Sequence, residues 1–257
     1  MTVRTVLGVF AHPDDECTSA GGVLALYSDA GVRVVLVSCT NGEFGDDVGG
    51  VKPGEAGHDR RRVAEARSRE LDAACGRLGA QTVERLAYHD SGLPGWAKWA
   101  DTTVFSAVGV EEVAARVRVL LAQYRPEVVL THNPDAGHEH VDHRHAAAAT
   151  ALAVLPETTL YFGAHGAKRA EQLREALGRN GIERPKPDGE RKRVLELIEQ
   201  RITTRIELGP YVHRKRQALF EHRSQLTSSA AAQLTPQQYE QVFATETFIR
   251  VQGDIEL

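Results

Sequence analysis

The chain has 257 residues, with 31 Lys and Arg against 35 Asp and Glu, 42% hydrophobic residues and three cysteines. A formal net charge of -4 leaves no basic footprint for nucleic acid, and no run approaches the roughly 18 to 20 uninterrupted apolar residues that span a bilayer, so neither nucleic acid nor a membrane is an expected partner. What remains is a globular enzyme or binding protein, long enough to bury a substantial core and read here as one domain over residues 1–257.

Residues 3–10 and 32–39 are short, nearly continuous β-branched and apolar runs, the pattern of strands buried on both faces of a parallel sheet. The first leads straight into a charged HPDDE without a small-residue cleavage site, so it is expected to be a strand rather than a leader. Between these runs, residues 16–30 carry Val23, Leu24, Leu26 and Tyr27 and stop at Gly31, a usual helix C-terminal signal. A second helix is predicted over 60–78, with Val63, Ala66, Leu71, Ala74, Cys75 and Leu78 at near-helical spacing and Gly79 beyond. Strands follow over 83–88, 127–131, 158–162 and 203–208, and helices over 111–124, 144–155, 168–177 and 191–200. This alternation predicts an α/β fold with a Rossmann-like, doubly wound, mostly parallel sheet. The last third is less regular, with a polar connector over 179–190, helical stretches near 210–225 and 236–243, and a terminal strand over 247–251. Two loops, 42–57 and 92–109, are long enough to be expected beside a site; the second holds Trp96 and Trp99. Cys17, Cys39 and Cys75 are odd in number and lack CxxC spacing, which argues against a disulfide framework and a thiolate zinc site and makes the cytoplasm the expected compartment.

In an open α/β sheet, ligands bind at the carboxyl ends of the strands. After the first strand those positions are Ala11, His12, Pro13, Asp14, Asp15 and Glu16. A dinucleotide site needs a glycine-rich turn whose N–H groups face a pyrophosphate, whereas this turn offers carboxylates that would repel it. A His followed three residues later by an Asp can converge on one cation, and the helix dipole keeps the carboxylates ionised. Taken alone, the same residues also suit helix capping by Asp14 or Asp15. A second cluster favours the metal. His132, His138, His140, His143 and His145 fall within fourteen positions after the 127–131 strand. Opposite the acidic turn they can complete a two-His, one-carboxylate site with open positions, the pattern of a catalytic zinc. His140 and His143 can share a helix face; His145 points elsewhere and, like His132, is read as an ordinary polar residue.

With AHPDDE at 11–16 and HVDH at 140–143, the chain resembles the LmbE-like (PIG-L) family of metal-dependent N-acetylglucosaminyl deacetylases and amidases, whose signature is (A/P)HPDDE followed later by HPDH or HxDH. TNGE at 40–43, Arg67 with Glu70 and Leu71, DSG at 90–92 and KRQALFEHRSQ at 215–225 are also similar to the family, so the resemblance covers nearly the whole chain. It implies His12, Asp15 and His143 as ligands of one Zn2+ per chain, with Fe2+ as an alternative. It further implies Asp14 as general base toward a water activated by the cation, and His140, oriented by Asp142, as stabiliser of the tetrahedral oxyanion. Arg67 and Asp90 match sugar-binding positions of related deacetylases, and also suit an ordinary ion pair. Roles for Lys215, His222 and Gln225 do not follow from the resemblance.

Departures from the family pattern shape the expectation. His138 stands where mycothiol-pathway relatives carry a Tyr that gates the site and assists the oxyanion; an imidazole can donate there, but it titrates near neutrality. Ser19 stands where the mycothiol S-conjugate amidases have a Lys, which tilts the reading toward a deacetylase. Val141 replaces a usual Pro, and Cys17 a frequent Ser. The expected function is removal of acetate from an N-acetylglucosamine-type unit on a small-molecule glycoside or natural product by a zinc-dependent hydrolase. An amidase of a mycothiol-like glucosamine conjugate and a non-catalytic metal-dependent sugar-binding protein are the alternatives. The intact Asp14 argues against the latter, because binding alone does not require that carboxylate. Specificity is expected in the loops around 45–57 and 96–99.

Overall fold

The computed structural model describes residues 3–93, 95–96, 103–135 and 140–257. His138 and Trp99 lie outside the described residues. In chain order the elements are β1 (Thr5–Phe10), α1 (Asp15–Asp29), β2 (Arg33–Thr40), α2 (Arg60–Leu78), β3 (Thr82–Tyr88), α3 (Val110–Tyr124), β4 (Val128–Thr131) and α4 (Val141–Ala153). They continue with β5 (Thr159–Gly163), α5 (Ala167–Arg179), α6 (Gly189–Arg201), β6 (Thr204–Glu207), α7 (Tyr211–Leu219), α8 (Pro236–Phe243) and β7 (Thr245–Gln252). The strands form one sheet in the order β3-β2-β1-β4-β5-β7-β6. Pairing is parallel from β3 through β5, and β7 is antiparallel to both of its neighbours.

Strand alternation accounts for the two cores. Val6 and Phe10 of β1, with Val34 and Leu36 of β2, face one side, packed with Val23 and Leu24 of α1 and Leu219 of α7. Leu7 and Val9, with Val35 and Val37, face the other, packed with Val113, Val117 and Ala146 of α3 and α4. Both faces are covered, which is why these strands read as continuous apolar runs. β1 pairs with β2 on one side and β4 on the other. The chain therefore reverses its direction of travel across the sheet beside β1, and the carboxyl ends of β1 and β4 flank the resulting crevice.

The C-terminal part departs from simple alternation. The predicted 203–208 strand becomes β6 at the sheet edge, paired with β7, while β7 occupies the place beside β5. Two helices, α5 and α6, intervene between β5 and β6, so the chain does not make the single-helix crossover that sets a parallel neighbour. The predicted 210–225 helix also divides: α7 stops at Leu219, and a separate 3-10 turn covers Arg223–Gln225. α4 begins three residues earlier than predicted, because the His140 ring accepts the Asp142 N–H and caps it. Among the described residues, no helix is long and apolar enough to cross a membrane.

A buried ion pair ties the C-terminal part to α1. Lys215 and Glu246 are both fully buried, with Nζ 2.6 Å from Oε1. Glu246 accepts the N–H groups of Gly22 and Val23 at 2.9 and 2.8 Å, and Lys215 Nζ donates to the Thr18 carbonyl at 3.2 Å. Mid-helix glycine costs up to about 1 kcal/mol, yet a Cβ on Gly22 would lie 2.3 Å from Leu208, so its absence is what admits that contact. Burial pulls the Lys215 ammonium below its ordinary range, with Glu246 opposing. Removing one partner of such a pair leaves an uncompensated buried charge. Lys215→Met is therefore expected to destabilise the fold by about 3–5 kcal/mol in urea titration, and adding Glu246→Gln should recover part of the loss.

Candidate active site

The turn after β1 is built from backbone first. Ala11 accepts the Thr40 N–H from the end of β2 at 2.8 Å and donates its own N–H to His132 Nε2 at 3.0 Å, so it is fixed from both neighbouring strands. The chain then breaks sharply: Asp14 has φ 118° and ψ -21°, a positive φ that is uncommon for a residue with a Cβ and typical of over-determined functional sites. Asp14 precedes α1, but its side chain makes no capping bond. It is instead held by Arg67, whose NH2 lies 3.1 Å from Oδ2. Asp15 Oδ2 turns back to accept the His12 N–H at 2.8 Å.

Around this turn the expected ligands meet. His12 Nδ1 lies 3.3 Å from Asp15 Oδ2, and His143 Nε2 lies 3.2 Å from Asp15 Oδ1. Ligand atoms of His12, Asp15 and His143 all fall within 4.8 Å of one another, as do those of His12, Asp90, His140 and Asp142. Two imidazoles and a carboxylate suit a divalent cation with open positions. Asp142 Oδ1 is buried without a hydrogen-bond partner among the described residues, the other mark of a site arranged for something beyond its own side chains.

Asp142 faces His12 as well as His140. Its Oδ2 faces His12 Nε2 at 3.3 Å and accepts the Ser91 N–H at 2.9 Å, while His140 Nδ1 lies 3.7 Å away. The His140 ring also receives the Asp142 backbone N–H, 3.3 Å from Nδ1. Asp90 lies within the cluster: Oδ1 accepts the Gly92 N–H at 2.8 Å and sits 3.5 Å from His12 Nε2 and 3.7 Å from His140 Nε2. Arg67 is buried, with NH1 donating to the Gly42 carbonyl at 2.8 Å and NH2 to the Pro13 carbonyl as well as Asp14. Much of its guanidinium fork is thus engaged inside the protein.

Exposure and charge separate the roles further. Asp14 is 27% exposed and His140 and His143 18% each, against 9% or less for His12, Asp15, Asp90 and Asp142, so the first three are the side chains that solvent reaches. Burial would raise the Asp15 carboxyl, but His143, His132 and His12 outweigh it and hold it well below the ordinary range. Asp14 moves the other way, raised by burial with Arg67 opposing. Burial, helped by His12, pulls His140 down to about 4, so its ring is neutral near pH 7.

Several residues of the site are assigned no role by the sequence. His132, read there as an ordinary polar side chain, stacks on His143 with ring centroids 4.1 Å apart and planes within 3°, and lies 3.4 Å from Asp15 Oδ2. Its place at the end of β4, matching that of His12 after β1, is the sequence signal for it. Glu43 accepts the Asp90 N–H at 3.1 Å and pairs with His89 at 2.6 Å. A cleft of about 760 Å³ begins at these two residues and runs along the start of α2. The loop above it is clipped down by Gln225, which accepts the Asp46 N–H at 3.2 Å and donates to the Asp46 carbonyl at 3.0 Å. Gly42, at φ +65°, and Gly45 pass so close to Arg67 that a Cβ on either would lie 2.5 or 2.7 Å from NH1. Gln225→Ala is expected to raise amide hydrogen exchange at residues 45–52 with little change in global stability, because it removes a clip and no apolar core.

The GlcNAc-PI de-N-acetylase (PIG-L) family pattern matches residues 7–154, which span both motifs. The chain belongs to this family. A 1D-myo-inositol 2-acetamido-2-deoxy-alpha-D-glucopyranoside deacetylase of Rhodococcus erythropolis is 29% identical, over 99% of this chain and 93% of its own. Among solved structures, the N,N'-diacetylchitobiose deacetylase of Pyrococcus horikoshii has a TM-score of 0.59 at 18% identity, covering 98% of this chain and 85% of that one. The 4-carboxy-2-hydroxymuconate hydratase of Pseudomonas putida scores 0.61, also at 18% identity, over 99% and 98%. These two likenesses establish the fold alone; a deacetylase and a hydratase share it, so the reaction has to be argued from the site.

Proposed function

We propose that the chain is a metal-dependent N-deacetylase that releases acetate from an N-acetylglucosamine unit of a small glycoside, with His12, Asp15 and His143 holding one zinc-type cation. The observation that carries this reading is the pair of adjacent carboxylates in opposed settings, Asp15 enclosed by imidazoles and Asp14 raised, partly exposed and held by Arg67. Neighbouring carboxyls driven apart in this way mark a ligand and a base. The match to the Rhodococcus erythropolis relative, named for an N-acetylglucosamine-type inositol glycoside, supports the substrate class. Two imidazoles with a carboxylate suit zinc and also Fe2+.

A divalent cation held there supplies Lewis acidity toward an amide carbonyl and lowers the pKa of coordinated water. Asp14 takes the proton from the attacking water and later hands it to the departing amine as the C–N bond breaks. His140 donates from Nε2 to the oxyanion: Nδ1 receives the Asp142 N–H, so the proton of the neutral ring resides on Nε2. Asp142 and Asp90 hold His12 by Nε2, leaving Nδ1 turned toward Asp15, the carboxylate–imidazole arrangement that orients a ligand. Arg67 acts on Asp14 and its backbone, and the cleft beside Glu43 and His89 offers room for the aglycone.

The test is primary-amine release from a panel of N-acetylglucosamine glycosides by the metal-loaded protein. Asp14→Asn is expected to keep the metal and lose about 10²- to 10⁴-fold in kcat; turnover at the parent rate would overturn the base assignment. His143→Ala is expected to lose metal on elemental analysis, and full occupancy would remove it from the ligand set.

A further inference from the structure

Behind Asp14 lies a buried group that the proposed reaction does not use. Glu16, 2% exposed, accepts from His222 Nε2 at 2.7 Å and the Cys17 thiol at 3.0 Å on Oε1, and from the Asp14 N–H at 2.9 Å on Oε2. His222 is fully buried and arrives from the turn between α7 and the Arg223–Gln225 helix, 206 residues along the chain. Its Nδ1 has no hydrogen-bond partner among the described residues, so its polar contribution there is concentrated in the Nε2–Glu16 bond. Glu16, Cys17 and His222 are close enough to hold a cation, but their bonds to one another already occupy the facing atoms.

The Asp14 N–H and the Pro13 carbonyl belong to one peptide unit, and a side chain holds each end of it. Arg67 NH2 donates to the Pro13 carbonyl, and Glu16 Oε2 accepts the Asp14 N–H. With the Asp14 carbonyl held by the N–H groups of Cys17 and Thr18, fixing that peptide plane fixes φ of Asp14, whose value of 118° lies where a residue with a Cβ does not rest unaided. The direction of the Asp14 carboxylate follows from it. Glu16 is held in turn by two donors in the core, the neighbouring Cys17 thiol and His222 Nε2, and His222 is the one that reaches it from a distant segment of the chain.

We infer that Glu16 and His222 form a buried positioning pair for Asp14, acting on its backbone and through it on the aim of its carboxylate. The inference rests on Asp14 being the base proposed above. A base displaced by about 1 Å costs on the order of 100-fold in rate without weakening substrate binding.

The experiment compares His222→Leu, His222→Gln and Glu16→Gln for kcat, KM, metal content and Tm, alone and in an Asp14→Asn background. His222→Leu is expected to lower kcat by about 10- to 100-fold with KM and metal per chain unchanged. The Gln variant, whose amide donor can reach Glu16, should restore most of the rate. In the Asp14→Asn background the His222→Leu step should cost nothing further, because the residue acts through Asp14. An unchanged kcat in folded His222→Leu, a loss that multiplies with Asp14→Asn, or a loss that tracks metal content would each overturn the inference. Should His222→Leu fail to fold, Glu16→Gln decides: it keeps the volume but turns a donor against either Asp14 or His222, and an unchanged kcat there rejects the pair. Asp14→Asn at the parent rate would reject the base itself, an outcome separate from those three.

Discussion

Three consecutive carboxyl groups, Asp14, Asp15 and Glu16, are packed where β1 gives way to α1, and burying charges so close together is costly unless each is compensated. Each has its own positive or hydrogen-bonding partner, brought from a different element. Arg67 of α2 meets Asp14, His143 of α4 and His12 meet Asp15, and His222 from beyond α7 meets Glu16. The start of α1 adds the favourable end of a helix dipole. The charges of the turn are compensated by α2, α4 and the C-terminal segment together, so the site depends on the same packing as the fold.

The sheet order makes that convergence possible. Because β1 lies between β2 and β4, its carboxyl end is reached from both directions, by the 42–57 loop and α2 on one side and by the β4–α4 segment on the other. The C-terminal segment is then locked onto α1 by the Lys215–Glu246 pair, which bonds to backbone atoms at Thr18, Gly22 and Val23. The same stretch of chain carries His222 to Glu16 and Gln225 to the loop, so a stability device far from the solvent-facing side chains also sets the rear wall of the site.

Much of the fold was legible in the sequence because local periodicity reports how many faces of an element are buried. The 60–78 and 236–243 helices coincide with α2 and α8, and the continuous apolar runs become the central parallel strands. The HPDDE and HVDH motifs marked the two strand ends that meet. Less legible were the edge of the sheet, where β7 enters beside β5 against the run of the chain, and the start of α4, where a histidine ring replaces the usual Ser, Thr, Asp or Asn cap.

By itself, then, the sequence determined the fold class, the identity of the two motifs and the side-chain chemistry available to them, since composition and spacing suffice for those. Tertiary structure alone decided which partner each group takes. It set the Asp142 carboxylate against His12 as well as His140, stacked His132 on His143, engaged Arg67 with the Pro13–Asp14 turn and brought His222 behind Glu16. Spacing fixes the direction of a side chain relative to its own helix or strand, whereas these contacts join residues scores of positions apart, whose meeting depends on the packing of the whole sheet and its helices.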